Sequence, residues 1–142
     1  MTHHLLLVDD DDKVREVLRR FLEAEGYAIT EATSAEEAVQ RIEASSYAVA
    51  FCDVHMAGAN GLWLADQIRQ LSPGTAMVLA TGDTEVPPTE SLRAGVVSYL
   101  LKPLRRDRVV SAAAEGVRWS EKARARGAER RGRRQLGPAA TD

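Results

Sequence analysis

Short apolar runs alternate with stretches in which apolar residues recur every three or four positions. His4 to Val8 is such a run, closed by four aspartates. From Asp12, the residues Val14, Val17, Leu18, Phe21 and Leu22 fall at helical spacing. Gly26 supplies a stop. Tyr27 to Ala32 predicts a second strand, with Ile29 apolar between polar neighbours. Ser34 and Glu37, three apart, form a capping-box pattern ahead of a helix carrying Ala35, Ala38, Val39 and Ile42. Tyr47 to Cys52 predicts the third strand. Gly61 then opens a helix with Leu62, Leu64, Ala65, Ile68 and Leu71, which Ser72-Pro73-Gly74 ends. Ala76 to Ala80 and Ser98 to Leu101 predict the last two strands. Between them Pro87-Pro88 can start a short helix, because proline is tolerated in a first turn. Beyond Asp107, a final amphipathic face carries Val110, Ala113, Ala114 and Val117. Five β-α repeats imply a parallel sheet with helices on both faces, joined by right-handed crossovers.

Composition adds little to this until charge is divided along the chain. The 142 residues suit one domain, and scarce aromatics leave the core to Leu, Val and Ala. The single cysteine, Cys52, cannot form an internal bridge and reads as a small buried hydrophobe in a reducing, cytoplasmic setting. No stretch has the apolar length of a membrane helix, and the N-terminus lacks a secretory pattern. The net charge of −2 hides an acidic body, −7 over residues 1–117, and a basic segment, +6 over residues 118–134. From about Arg124 to Asp142 apolar periodicity stops, so the last helix is expected to fray into a disordered tail.

The candidate chemistry lies at strand ends. Asp9 to Asp12 follow the first strand and Asp53 ends the third. In a parallel sheet both ends open on one edge, so several carboxylates share a pocket. Like charges that close are unfavourable unless a cation joins them, which predicts a divalent metal. Asp11 and Asp12 read instead as a helix start, where acids are favoured.

The set Val8-Asp9-Asp10, Asp53, Thr81 and Tyr99-Leu100-Leu101-Lys102-Pro103 resembles the receiver domain of two-component response regulators. The resemblance covers roughly residues 4 to 118. It implies a flavodoxin-like, doubly wound (βα)5 fold with strand order 2-1-3-4-5. Together with the charge division, it splits the chain into a receiver domain over 1–120 and a basic helical extension, ending in a disordered tail or linker stub, over 121–142. It implies that Asp53 accepts phosphate from a phosphohistidine donor, a sensor histidine kinase or phosphotransfer protein. Asp10 would bind Mg²⁺ (or Mn²⁺) directly, Asp9 through water, and Asp53 and the backbone carbonyl of His55 would complete the protein ligands. Thr81 would hydrogen-bond the phosphoryl group, Lys102 would pair with one of its oxygens from a cis Lys102-Pro103 turn, and Tyr99 would follow Thr81 as an aromatic switch. His55 and Asp83 would tune hydrolysis.

The chain departs from the family pattern in places. Alanine stands at position 57, where proline is common, which should loosen the loop behind Asp53. Pro87-Pro88 falls where the helix between the last two strands normally begins, so that helix is expected to be short or displaced. The reading is a signalling switch rather than a metabolic enzyme, assisting only its own phosphotransfer and dephosphorylation. Its output goes to a partner protein or an absent output domain, and homodimers are plausible for the family. Rivals are a Mg²⁺-dependent aspartyl-phosphate phosphatase, disfavoured by His at position 55, and a phosphate-blind module of the same fold. A flavin-binding domain would need a phosphate-cradling loop after the first strand, where this chain has acids. Membrane partners are not expected, nor nucleic acid, since the basic segment has few aromatics for stacking.

Overall fold

The computed structural model describes residues 2–82 and 94–141, with side chains through residue 132. The elements are β1 (His4–Val8), α1 (Asp12–Glu23), β2 (Ala28–Ala32), α2 (Ala35–Ala44), β3 (Val49–Asp53), α3 (Gly61–Leu71), β4 (Ala76–Thr81), β5 (Val96–Leu101) and α4 (Arg106–Thr141). All strands run parallel in the order β2-β1-β3-β4-β5. This is the flavodoxin-like arrangement implied by the resemblance. The expected helix at Pro87-Pro88 lies outside the described residues.

Burial explains the order. Every residue of β3 and β4 is buried, while β2 and β5 are only half-buried along most of their length. Strands covered on both faces must be apolar throughout, so the continuous runs occupy the middle and the mixed ones the edges. Side chains alternate across the sheet. Leu6, Val8, Ala50, Cys52 and Leu79 meet α2 and α3 on one face through Ala38, Ile42, Leu64 and Ile68. Leu5, Leu7, Phe51 and Val78 meet α1 and α4 on the other through Leu18, Leu22, Val109 and Ala113.

The caps follow the residues. Asp11 caps α1, its carboxylate accepting from the N–H groups of Lys13 and Val14. Ser34 Oγ accepts from the Glu37 N–H at 3.1 Å. The reciprocal bond of the capping box shifts by one residue, because Glu37 accepts from Thr33 N–H and its hydroxyl. The final helix is longer than its apolar face suggests. Helical backbone continues past Arg124 to Thr141, through a segment rich in Ala and Arg but also holding Gly127, Gly132, Gly137 and Pro138.

Candidate functional site

Register delivers the acidic groups to one place. Val8 pairs with Cys52, so Asp9, one residue on, comes beside Asp53. Asp53 pairs with Ala80, so Thr81 lies one step further along the neighbouring strand. Thr81 pairs with Leu101, and Lys102 follows, its N–H donating to the Thr81 carbonyl at 2.8 Å. Four consecutive sheet positions therefore present Asp9, Asp53, Thr81 and Lys102 from the carboxyl ends of their strands.

Carboxylate oxygens of Asp9, Asp10 and Asp53 lie within 4.8 Å of one another. Asp9 and Asp53 are buried and Asp10 is exposed. Lys102 Nζ lies 3.0 Å from Asp9 Oδ2 and 3.4 Å from Asp53 Oδ2, one ammonium between two buried carboxylates. Burial pushes the Asp53 carboxyl above its ordinary pKa, and the Asp9 charge adds to this. The Lys102 ammonium and the His55 N–H, 3.3 Å from Asp53 Oδ1, pull the other way without cancelling it. Burial works to lower the Lys102 pKa, but the hydrogen bond and charge of Asp9, joined by Asp53, outweigh it and raise it. The pocket holds more negative charge than its one ammonium offsets.

The loop behind β3 fixes Asp53. Gly61 N–H donates to the Val54 carbonyl at 3.1 Å, and a Cβ on Gly61 would stand 2.3 Å from the Asp53 carbonyl oxygen. No side chain fits there, so α3 can begin directly behind the carboxylate only with glycine. Asn60 caps that helix through the Trp63 N–H.

The other candidates are distributed as follows. Thr81 is fully buried. Tyr99 is half-buried with its hydroxyl inside, packed against the core face that carries Leu79. The Lys102-Pro103 peptide is cis. His55 is exposed. Asp83 lies outside the described residues. Cys52 is fully buried, and burial, helped by Asp53, pushes its thiol up to about 12.

Two contributors carry no motif. Arg15 is only 7 % exposed and donates to the Asp9 carbonyl at 2.5 Å. Its guanidinium also reaches Asp12 and Glu31, the latter at 3.2 Å. It clamps the backbone turn that aims Asp9 and Asp10. A signal for it existed, since Arg15 sits three and seven residues before Leu18 and Leu22, on the buried face of α1. The second is the N–H of Ala57, which donates to Asp10 Oδ2 at 3.2 Å. Proline, lacking an N–H, could not make this bond. The loop at Ala57 is therefore tied to Asp10, rather than merely loosened by the absence of proline.

The donor set fits a hard divalent cation. Clustered carboxylates beside solvent are oxygen ligands of the kind Mg²⁺ takes while keeping several waters. The excess negative charge of the pocket favours a cation there.

Comparison with known proteins gives the same answer. The family model of the response regulator receiver domain matches residues 5–114. The C4-dicarboxylate transport transcriptional regulatory protein DctD of Rhizobium meliloti is 31% identical over 110 residues, 77% of this chain and 24% of that protein. The aerobic respiration control protein ArcA of Escherichia coli is 34% identical over 102 residues, 72% of this chain and 43% of that protein. The chain thus spans less than half the length of these relatives. A CheY-like receiver domain protein of Methanospirillum hungatei superposes with a TM-score of 0.80 at 28% identity, covering 86% of this chain and 98% of that one. The response regulator TrrA of Thermotoga maritima, solved with Mg²⁺ and BeF, gives 0.73 at 27%, covering 82% and 99%. The chain belongs to the receiver domains of response regulators, the phosphorylation-dependent signalling switches of two-component systems.

Proposed function

We propose that Asp53 is the phospho-acceptor of this receiver domain, taking its phosphoryl group from the phosphohistidine of a sensor kinase or phosphotransfer protein in the cytoplasm. The observation that carries the reading is the placement of Asp53 between a second buried carboxylate and the Lys102 ammonium, at a strand end open to solvent on the Asp10 side. One Asp53 oxygen attacks phosphorus, the P–N bond breaks, and its electron pair leaves on the imidazole nitrogen, which takes a proton from water. The product is an acyl phosphate on Asp53.

Asp9, Asp10, Asp53 and the His55 carbonyl would hold Mg²⁺. When bound, the ion supplies neutralisation of phosphoryl oxygens. Lys102 neutralises a further oxygen from the side where it now meets Asp53. Arg15 and the Ala57 N–H keep Asp9 and Asp10 aimed at the ion. The Thr81 hydroxyl binds the new phosphoryl oxygens, and Tyr99, on the adjacent strand, moves with it. That movement changes the surface around Leu101, Pro103 and Leu104, the face offered to a downstream partner. His55, with Asp83, sets how fast water returns the domain to its resting form.

Incubation with a small phosphodonor and Mg²⁺ tests the assignment. One phosphoryl mass should appear on the intact protein, vanish with chelator, and be absent from Asp53→Asn. Label retained by Asp53→Asn overturns it.

A further inference from the structure

A groove of about 470 Å³ opens at the opposite edge of the sheet, between the end of α3, the loop Ser72–Gly74 and the outer turns of α4. Its rim carries Arg69, Arg124, Arg126, Arg130 and Arg131. Among the described residues none of these five ends in an ion pair.

One of the five is fixed in place. Arg124 Nη2 donates to the Tyr47 carbonyl at 3.0 Å and Nε to Ser120 Oγ at 3.2 Å. Ser120 Oγ in turn donates to the Gly74 carbonyl at 2.5 Å. The stem of Arg124 lies over Gly74, where a Cβ would meet it at 3.1 Å. All these partners are neutral. The guanidinium keeps its full charge and its remaining donors, already oriented, as phosphate recognition requires.

The cations continue beyond the groove. Arg118, Lys122, Arg126 and Arg130 recur every four residues, a row that winds along α4 for about 18 Å at helical rise. Like charges at this spacing destabilise a helix; Glu121 and Glu129 stand three residues from Arg118 and Arg126, whereas Lys122 and Arg130 have no acid three or four residues away. A row of that length suits a linear polyanion better than a compact ligand. From Glu121 to Gly132 the only apolar side chains are alanines, so the segment cannot insert into a bilayer. Leu71, Pro73 and Trp119 also line the groove, but the cationic row leading out of it offers no aromatic or large aliphatic anchor of the kind a protein interface uses. Duplex nucleic acid carries a phosphate about every 1.7 Å of axis and needs no stacking partners.

We infer that the arginine groove and the cationic row leading from it bind the phosphodiester backbone of duplex nucleic acid, without reading base sequence. The site lies across the sheet from Asp53, so it can be occupied in either phosphorylation state.

Fluorescence anisotropy of a labelled mixed-sequence DNA duplex with the full chain tests this. Affinity should fall about 100-fold between about 50 and 200 mM salt, as expected for roughly four phosphate contacts. Arg126→Glu/Arg130→Glu should weaken binding at least tenfold, and the neutral Arg126→Gln/Arg130→Gln should also weaken it with an unchanged thermal melt. Arg20→Glu, an exposed reversal on α1, should leave it unchanged. Binding that ignores salt, or equal loss in the Arg20 control, overturns the proposal. So does displacement of the duplex by poly-glutamate at equal charge concentration, which would assign the groove to an acidic protein.

Discussion

The two edges of one sheet treat charge in opposite ways. At the carboxyl edge, Asp9, Asp53 and Lys102 are largely withdrawn from water and meet at 3.0–3.4 Å. At the amino edge, Arg126, Arg130 and Arg131 stand in solvent on the outer turns of a helix. Buried charges feel each other in a low dielectric, whereas exposed ones are screened. The first edge is therefore coupled to the stability of the fold, while the second can act only on something that arrives from outside.

Substitutions sharpen that contrast, beginning with Lys102→Met. It leaves two buried carboxylates with no ammonium between them and should destabilise the metal-free protein by about 3 kcal/mol. Urea melts check this, and Mg²⁺ should restore part of the loss. Arg15→Met should cost about 2 kcal/mol, because Glu31 and the Asp9 carbonyl lose their shared donor. It should also weaken Mg²⁺ binding in calorimetry, which a purely structural loss would not do. Asp53→Asn should act in the other direction. Because the folded Asp53 carboxyl titrates above its ordinary 3.8, its charge costs stability once pH rises past that value, and the cost is complete above the folded pKa. Removing the charge should stabilise the metal-free protein at neutral pH and change nothing near pH 3. Ala57→Pro, which deletes one bond to Asp10, should change Mg²⁺ affinity only a few-fold. Smallest of all, Arg126→Glu/Arg130→Glu should shift stability by no more than about 0.5 kcal/mol. A large loss there would erase the distinction between the edges.

The same contrast explains what the sequence disclosed. β1, β3 and β4 were readable because strands buried on both faces must be apolar runs, and Asp9, Asp53 and Lys102 because they interrupt or follow such runs. Asp11 and Ser34 were readable as helix starts from side-chain chemistry alone. The bonds of Arg15 to a backbone carbonyl and of the Ala57 N–H to Asp10 were not, since a backbone group can be supplied by nearly any residue type. The far end of α4 is not legible in the sequence because apolar periodicity reports packing. Beyond Ser120 the helix is tied back by the bond of Arg124 to the Tyr47 carbonyl, which leaves no such pattern.

The most direct measurement is to locate the phosphoryl group. Protein treated with phosphodonor and Mg²⁺, then with borohydride, should have one acyl phosphate reduced to the alcohol, and peptide mass spectrometry should find that change at position 53. Reduction at Asp9 or Asp10, or at no aspartate at all, would contradict the account.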